Sequence, residues 1–251
     1  MKTHPSPLLS LHPDLMACFT TRHGGVSRPP FATANFAFHV GDDAADVLAN
    51  HELLAAGLGY ELKRLVHMRQ IHSDIVMRVN DGDGFDAPPE CDALITDRIG
   101  VPLMVMSADC TPVLLYDPKS RSIGAVHAGR AGALKRILPK TIETMEKSYG
   151  VCRTDLLISM GPSIGGCCYE INLSIAEEAE NRGYAKALRK DGEKVFLDVN
   201  TILTMQLEEM GIAPERIEVW GTCTSCDRGE YFSYRADAQK TGRIAGVIML
   251  R

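Results

Sequence analysis

The chain has 251 residues, enough for one large domain or two small ones with a substantial core. Its 45% hydrophobic and 24% charged residues are ordinary for a globular protein. A net charge of -5, with no basic arm or stripe, argues against a phosphate-backbone footprint and against nucleic acid as a partner.

No apolar run approaches the roughly 20 residues of a membrane-spanning helix. Prolines interrupt MKTHPSPLLSLHPDL where a signal peptide needs unbroken apolar sequence. The expectation is a cytoplasmic protein with no membrane partner.

In chain order, ACFTTRHGGVSRPP reads as a strand running into a Gly/Pro-rich loop, and AADVLANHELLAAGLGY as a helix ending in glycines. LVHMRQIHSDIVMRV gives one or two strands, followed by the polar loop NDGDGFDAPPE. DALITDRIGVPLMVMSADCTPVLLYD gives several closely spaced buried strands. ALKRILPKTIETMEKSYG is an amphipathic helix, bent or started by Pro139. DLLISMGPSIG is a strand opening into a glycine loop, LSIAEEAENRGYAKAL is helical, and KVFLDVNTILTMQLEEMG is a strand then a helix. Strand-like IEVWG, the loop CTSCDRGE, YFSYR and a last strand IAGVIML complete the chain. The predicted fold is one α+β domain over residues 1–251, with packed mixed β-sheets flanked by helices.

VLLYD and SIGAV predict a hairpin around Pro118 to Arg121. An antiparallel register puts Tyr116 opposite Ile123, Pro112 opposite His127 and Cys110 opposite Gly129. Facing strands lie about 5 Å apart, so the thiol and the imidazole share the open end. Asp109 is an odd neighbour for a purely buried cysteine, and Gly124, Gly129 and Gly132 leave room around the histidine. With His72 of QIHSDIV the set becomes His72, Cys110 and His127. Thiolate and imidazole are natural zinc ligands, and three protein ligands with a fourth position open mark a catalytic site.

The segments TTRHGGVS, NFAFHVGDD, QIHSD, CDALITD, SADCTPVLLYD, AVHAG, GPSIGGCCYEI, CT and FSYR occur in this order. Together they resemble the YfiH-type laccase-domain family, also called multicopper polyphenol oxidases and purine nucleoside phosphorylases. The resemblance runs from about Thr20 to the C-terminus and implies Zn2+ held by His72, Cys110 and His127. It implies phosphorolysis of adenosine, inosine, guanosine and methylthioadenosine, with adenosine deamination as a second activity. The partners expected are a purine nucleoside and phosphate, on a monomer or homodimer. The family commonly carries H-A-G-W-R-G, whereas this chain has HAGRAG at 127–132: the tryptophan is missing and Arg130 stands one place early.

For that chemistry Arg22, Arg235 and Arg243 are the candidate phosphate holders, since a guanidinium fork binds two oxygens at once. Arg22 leads because the glycines after it offer backbone N–H groups to an anion. Asp109 is the proton-handling candidate, or alternatively orients His127. Glu170 and Asn35 are candidate contacts to sugar or base, and His23 is read as a loop histidine. Cys223 and Cys226 form a C-x-x-C with no second pair to complete a zinc site, and adjacent Cys167 and Cys168 are not expected to chelate one ion from a strand. All four are read as structural.

Three rival readings remain. A copper-dependent polyphenol oxidase would draw on Met68, Met104 or Met106 as a weak ligand, although no H-x-H pair occurs. A Cys–His hydrolase acting on cell-wall precursor peptides would use Cys110 as nucleophile and His127 as base. A non-enzymatic zinc module would need a fourth protein ligand.

Overall fold

Strands that are apolar on both faces need cover on both sides. LMACFT, TPVLLYD, SIGAVHA and IAGVIML are buried along their whole length. The computed structural model, which describes residues 1–251, covers them by stacking two sheets and capping each outer face.

The chain begins with strands β1 (Thr3–Pro5) and β2 (Leu15–Thr20), helix α1 (Ala44–Leu58), and strands β3 (Val66–His67) and β4 (Val76–Arg78). Next come β5 (Ala93–Thr96), β6 (Leu103–Ser107), β7 (Thr111–Asp117) and β8 (Ser122–Ala128). Helices α2 (Arg130–Leu134) and α3 (Ile137–Tyr149) lead to β9 (Leu157–Met160), β10 (Glu170–Ile171) and α4 (Leu173–Asn181). The last elements are β11 (Leu188–Asp191), β12 (Lys194–Leu197), α5 (Val199–Glu209), β13 (Ile217–Val219) and β14 (Ile244–Leu250).

One sheet has the order β1-β2-β14-β6-β3 and the other β13-β9-β7-β8-β5-β4, with a small third sheet β10-β12-β11. Pairs β3/β6, β4/β5 and β9/β13 are parallel, while β7 pairs antiparallel with both β8 and β9. The sheets are therefore mixed and the fold is α+β, as predicted.

Side chains alternate across a strand, and β7 shows the consequence. Leu114 and Tyr116 point inward, where they meet Phe19, Val105 and Ile248 of the facing sheet. Val113 and Leu115 point outward into a layer of Ile137, Ile142, Ile202 and Leu203 from α3 and α5. On the far side Met104, Met106 and Val247 pack against Phe36, Leu54 and Leu65. Each such burial stabilises by about 1.5–3 kcal/mol.

Two helical readings are corrected. ALKRILPKTIETMEKSYG is two helices, because Arg136 adopts a left-handed φ of 65° between α2 and α3. Pro139 lies in the first turn of α3, where its missing N–H breaks no helical bond. In LSIAEEAENRGYAKAL the α-helix ends at Asn181, since Gly183 turns the chain at φ 86°; one 3-10 turn over Ala185–Ala187 follows before Leu188 enters β11. No helix is long and apolar enough to cross a membrane.

Candidate metal centre

The β7/β8 ladder pairs Tyr116 with Ile123 and Pro112 with His127, the register the spacing predicts. Its last pair is Thr111 with Ala128, so Cys110 and Gly129 lie just beyond it at the open end. His72 arrives from the loop between β3 and β4, with Cys110 Sγ 3.9 Å from its Nε2. The His72 and His127 rings are 4.9 Å apart and nearly perpendicular. The ligand atoms of all three residues lie within 4.8 Å of one another. A Cβ added to Gly129 would sit 2.7 Å from Cys110 Sγ, so only glycine lets the sulfur approach here.

Asp92, absent from the predicted site, organises this cluster. Fully buried at the start of β5, its carboxylate accepts the backbone N–H groups of Ile71, His72 and Ser73 at 3.3, 3.1 and 2.6 Å. It also accepts Ser73 Oγ–H at 2.6 Å and His127 Nδ1–H at 2.8 Å. Its backbone carbonyl takes the His127 N–H at 2.8 Å. One carboxylate thus fixes both histidines, including His72 in a left-handed φ of 56° that costs an L-residue roughly 1–2 kcal/mol. The only sequence signal is a charged residue opening the apolar run DALIT.

Burial opposes charge at each of these groups, yet their mutual contacts win. The Cys110 thiol is pulled below its ordinary pKa by His127 and His72, and His127 is raised above its own by Cys110 and Asp92. Hydrogen bonds from His127 and Ser73 hold Asp92 below the usual carboxylate range.

The donor set fits a borderline-soft divalent ion. With its Nδ1–H committed to Asp92, His127 keeps Nε2 free as a donor atom, the arrangement that fixes tautomer and ring orientation in metal sites. His127 is buried, Cys110 half-buried and His72 exposed, so the set is open on one side. That side faces a cavity of about 620 Å³, within the range of small-molecule sites.

Of the predicted residues, His72, Asp109, Cys110, His127, Arg235 and Arg243 line this cavity. Asp109 accepts Thr224 Oγ1–H at 2.7 Å and the Arg235 backbone N–H at 2.6 Å. Its carboxylate makes no bond to His127, whose Nδ1–H goes to Asp92 at 2.8 Å, so the orienting role considered for Asp109 falls to Asp92. Arg243 donates only to the Thr241 and Gly242 carbonyls, at 2.9 and 3.0 Å. Burial pushes its pKa down, against the opposing charges of Cys110, Tyr234 and Asp109. The Arg235 and Arg243 guanidinium carbons lie 5.0 and 5.5 Å from the ring centroids of Tyr169 and Tyr234.

Three candidates fall elsewhere. Arg22 donates to the carbonyls of Ala32 and Arg228 and lies 4.6 Å over Phe232, because its loop packs against the 228–232 segment. Asn35 is buried, bonding Ala37 and Asp42 and accepting the Arg243 backbone N–H at 2.9 Å. Glu170 pairs with Lys194 at 3.1 Å, and only its carbonyl reaches Arg235. His23 lies 3.6 Å from Glu230. The cavity wall adds residues that spacing could not identify, Gln70, His39, Tyr169 and Tyr234, together with Arg130 of the displaced HAGRAG arginine.

The cysteine reading is also corrected. Cys167 and Cys168 occupy a turn rather than a strand, and their sulfurs lie within 4.8 Å of those of Cys223 and Cys226.

Residues 16–251 match the family described as multi-copper polyphenol oxidoreductase laccase. The chain is 38% identical over 231 residues to a purine nucleoside phosphorylase of Mycobacterium tuberculosis, covering 92% of this chain and 90% of that one. It is 32% identical to the purine nucleoside phosphorylase YlmD of Geobacillus stearothermophilus, covering 93% and 89%. The crystal structure of that YlmD superposes with a TM-score of 0.91 at 30% identity, covering 100% of this chain and 98% of the other. The hypothetical protein YfiH of Bacillus licheniformis also gives 0.91, at 33% identity, covering 94% and 93%.

Proposed function

This chain belongs to the YfiH-type laccase-domain family, and from that premise we propose that it is a zinc-dependent purine nucleoside phosphorylase with a second, adenosine deaminase activity. One observation carries the reading: a three-donor set, open on one side, at a cavity that also holds Arg130, Arg235, Arg243 and two tyrosines. Phosphorolysis breaks the bond from the ribose anomeric carbon to the purine nitrogen and forms a bond from that carbon to a phosphate oxygen.

Arg235 and Arg243 bind the phosphate. Arg243 in particular is a partly buried cation whose hydrogen bonds go only to carbonyls, leaving it free to accept an anion. Tyr169 and Tyr234 offer ring faces to the purine, in place of the tryptophan that the HAGRAG segment lacks. Asp109, held through both oxygens, presents negative charge to the positive sugar ring that develops as the bond breaks. In deamination the same carboxylate accepts the proton of the attacking water. His72, Cys110 and His127 hold the ion, which when bound supplies Lewis acidity and positive charge at the cavity floor.

The copper reading is disfavoured by the donor sets, since a multicopper site needs a further histidine cluster and the second metal-capable group is all cysteine. The lowered pKa of Cys110 beside His127 favours the hydrolase as second reading. Metal-replete protein is incubated with adenosine, with and without phosphate, and the products are identified. Free adenine only with phosphate establishes phosphorolysis, and inosine without phosphate establishes deamination. An absence of turnover in both mixtures rejects the proposal. Hydrolase activity that survives a chelator would support the thiol nucleophile.

A further inference from the structure

Four of the seven cysteines outside the candidate centre are brought together by strand pairing. β9 and β13 run parallel, with Ile158 beside Ile217 and Met160 beside Val219. Their C-terminal ends therefore launch two loops side by side, cross-linked by Ser163 N–H to Thr222 O at 3.2 Å and Thr224 N–H to Ser163 O at 3.0 Å. Cys167 and Cys168 lie on one loop, Cys223 and Cys226 on the other. Cys226 Sγ is 3.4 Å from Cys168 Sγ and 3.7 Å from Cys167 Sγ. The Gly165 backbone N–H points at Cys223 Sγ from 3.3 Å, the kind of donor that stabilises a thiolate.

We propose that Cys167, Cys168, Cys223 and Cys226 form a closed tetrathiolate site for a zinc ion, separate from the His72–Cys110–His127 set. The distances decide between possible states of four neighbouring thiols. A disulfide needs sulfurs about 2.05 Å apart, far closer than any pair named above. A tetrahedral ion with metal–sulfur bonds of about 2.3 Å sets its sulfurs about 3.8 Å apart, close to what is seen. An iron–sulfur cluster places several inorganic atoms between its cysteines, which a group confined within 4.8 Å leaves little room for. Four protein ligands leave no open position, so the site holds structure and does no chemistry.

The location gives that structural role an object. The first loop carries Ile164 and Tyr169, both on the wall of the substrate cavity. The second carries Thr224, whose hydroxyl donates to Asp109 at 2.7 Å. A zinc ion bridging the loops fixes the wall and the Asp109 carboxylate relative to each other.

Native mass spectrometry and elemental analysis of the full chain test this. Wild-type protein is expected to carry two zinc ions. The double substitution Cys223→Ser/Cys226→Ser should remove one, and His72→Ala the other. A single zinc that survives His72→Ala and is lost in the double cysteine variant supports this site even if the other set is empty. In cobalt-loaded protein the double variant should lose about four-fifths of the thiolate-to-cobalt charge-transfer absorption, since four of the five ligating sulfurs belong here. Alkylation and intact mass of the wild type add readouts that do not depend on the variants folding. Zinc content that the double variant leaves unchanged, free alkylation of all four cysteines in folded protein, or a mass lighter by paired hydrogens from disulfides would each overturn the proposal.

Discussion

Two residues carry most of what distinguishes the candidate centre from ordinary packing. Asp92 accepts five hydrogen bonds, which an amide could not do without turning its own N–H groups against donors. Asp92→Asn should weaken metal binding roughly 10–100-fold, read by competition titration against a chelating dye; an unchanged affinity would remove Asp92 from the positioning role. Arg243 makes the complementary case for the phosphate. Charge-assisted bonds to an anion are worth about 1.5–3 kcal/mol, so if Arg243 holds the phosphate as proposed, Arg243→Met should raise KM for phosphate about 10–100-fold. Deamination, which uses no phosphate, should change little. Equal loss of both activities would mean that the arginine holds the fold of the cavity and not the anion.

At the scale of elements, the β7/β8 hairpin positions two of the three proposed ligands, and its turn is set locally. Asp117 is buried and accepts the Lys119 and Ser120 backbone N–H groups, each at 3.2 Å. Asp117→Ala leaves both donors unpaired and should cost about 1–3 kcal/mol, seen as a fall in thermal midpoint of a few degrees; no fall would show that the turn folds without its cap. The hairpin was legible in the sequence because strand, turn and strand are contiguous and the turn at Pro118 to Arg121 fixes the antiparallel register. Asp92 was not legible, because its partners His72 and His127 are brought to it only by loop placement and by β5 pairing with β8. The four-cysteine cluster was hidden for the same reason: 58 residues separate Cys168 from Cys226 until β9 and β13 pair. Arg22, with glycines beside it, had the local look of an anion site, and nothing local shows that its loop packs on Phe232 instead.

Across the whole molecule, two stacked sheets form the rigid base and the loops at their edges form the cavity. Leu114 lies between the sheets, fully buried. Leu114→Ala should cost about 2–5 kcal/mol through lost burial and the cavity left behind, with metal stoichiometry unchanged in the folded fraction. A loss under 1 kcal/mol would mean that the interior is looser than these contacts imply. The most direct measurement is an anomalous-scattering map at the zinc edge from crystals of the metal-loaded protein. A peak is expected between His72 Nε2, Cys110 Sγ and His127 Nε2, with its fourth position filled by no protein atom and facing the cavity. No density there, or a fourth protein ligand closing the ion off, would contradict an open catalytic centre.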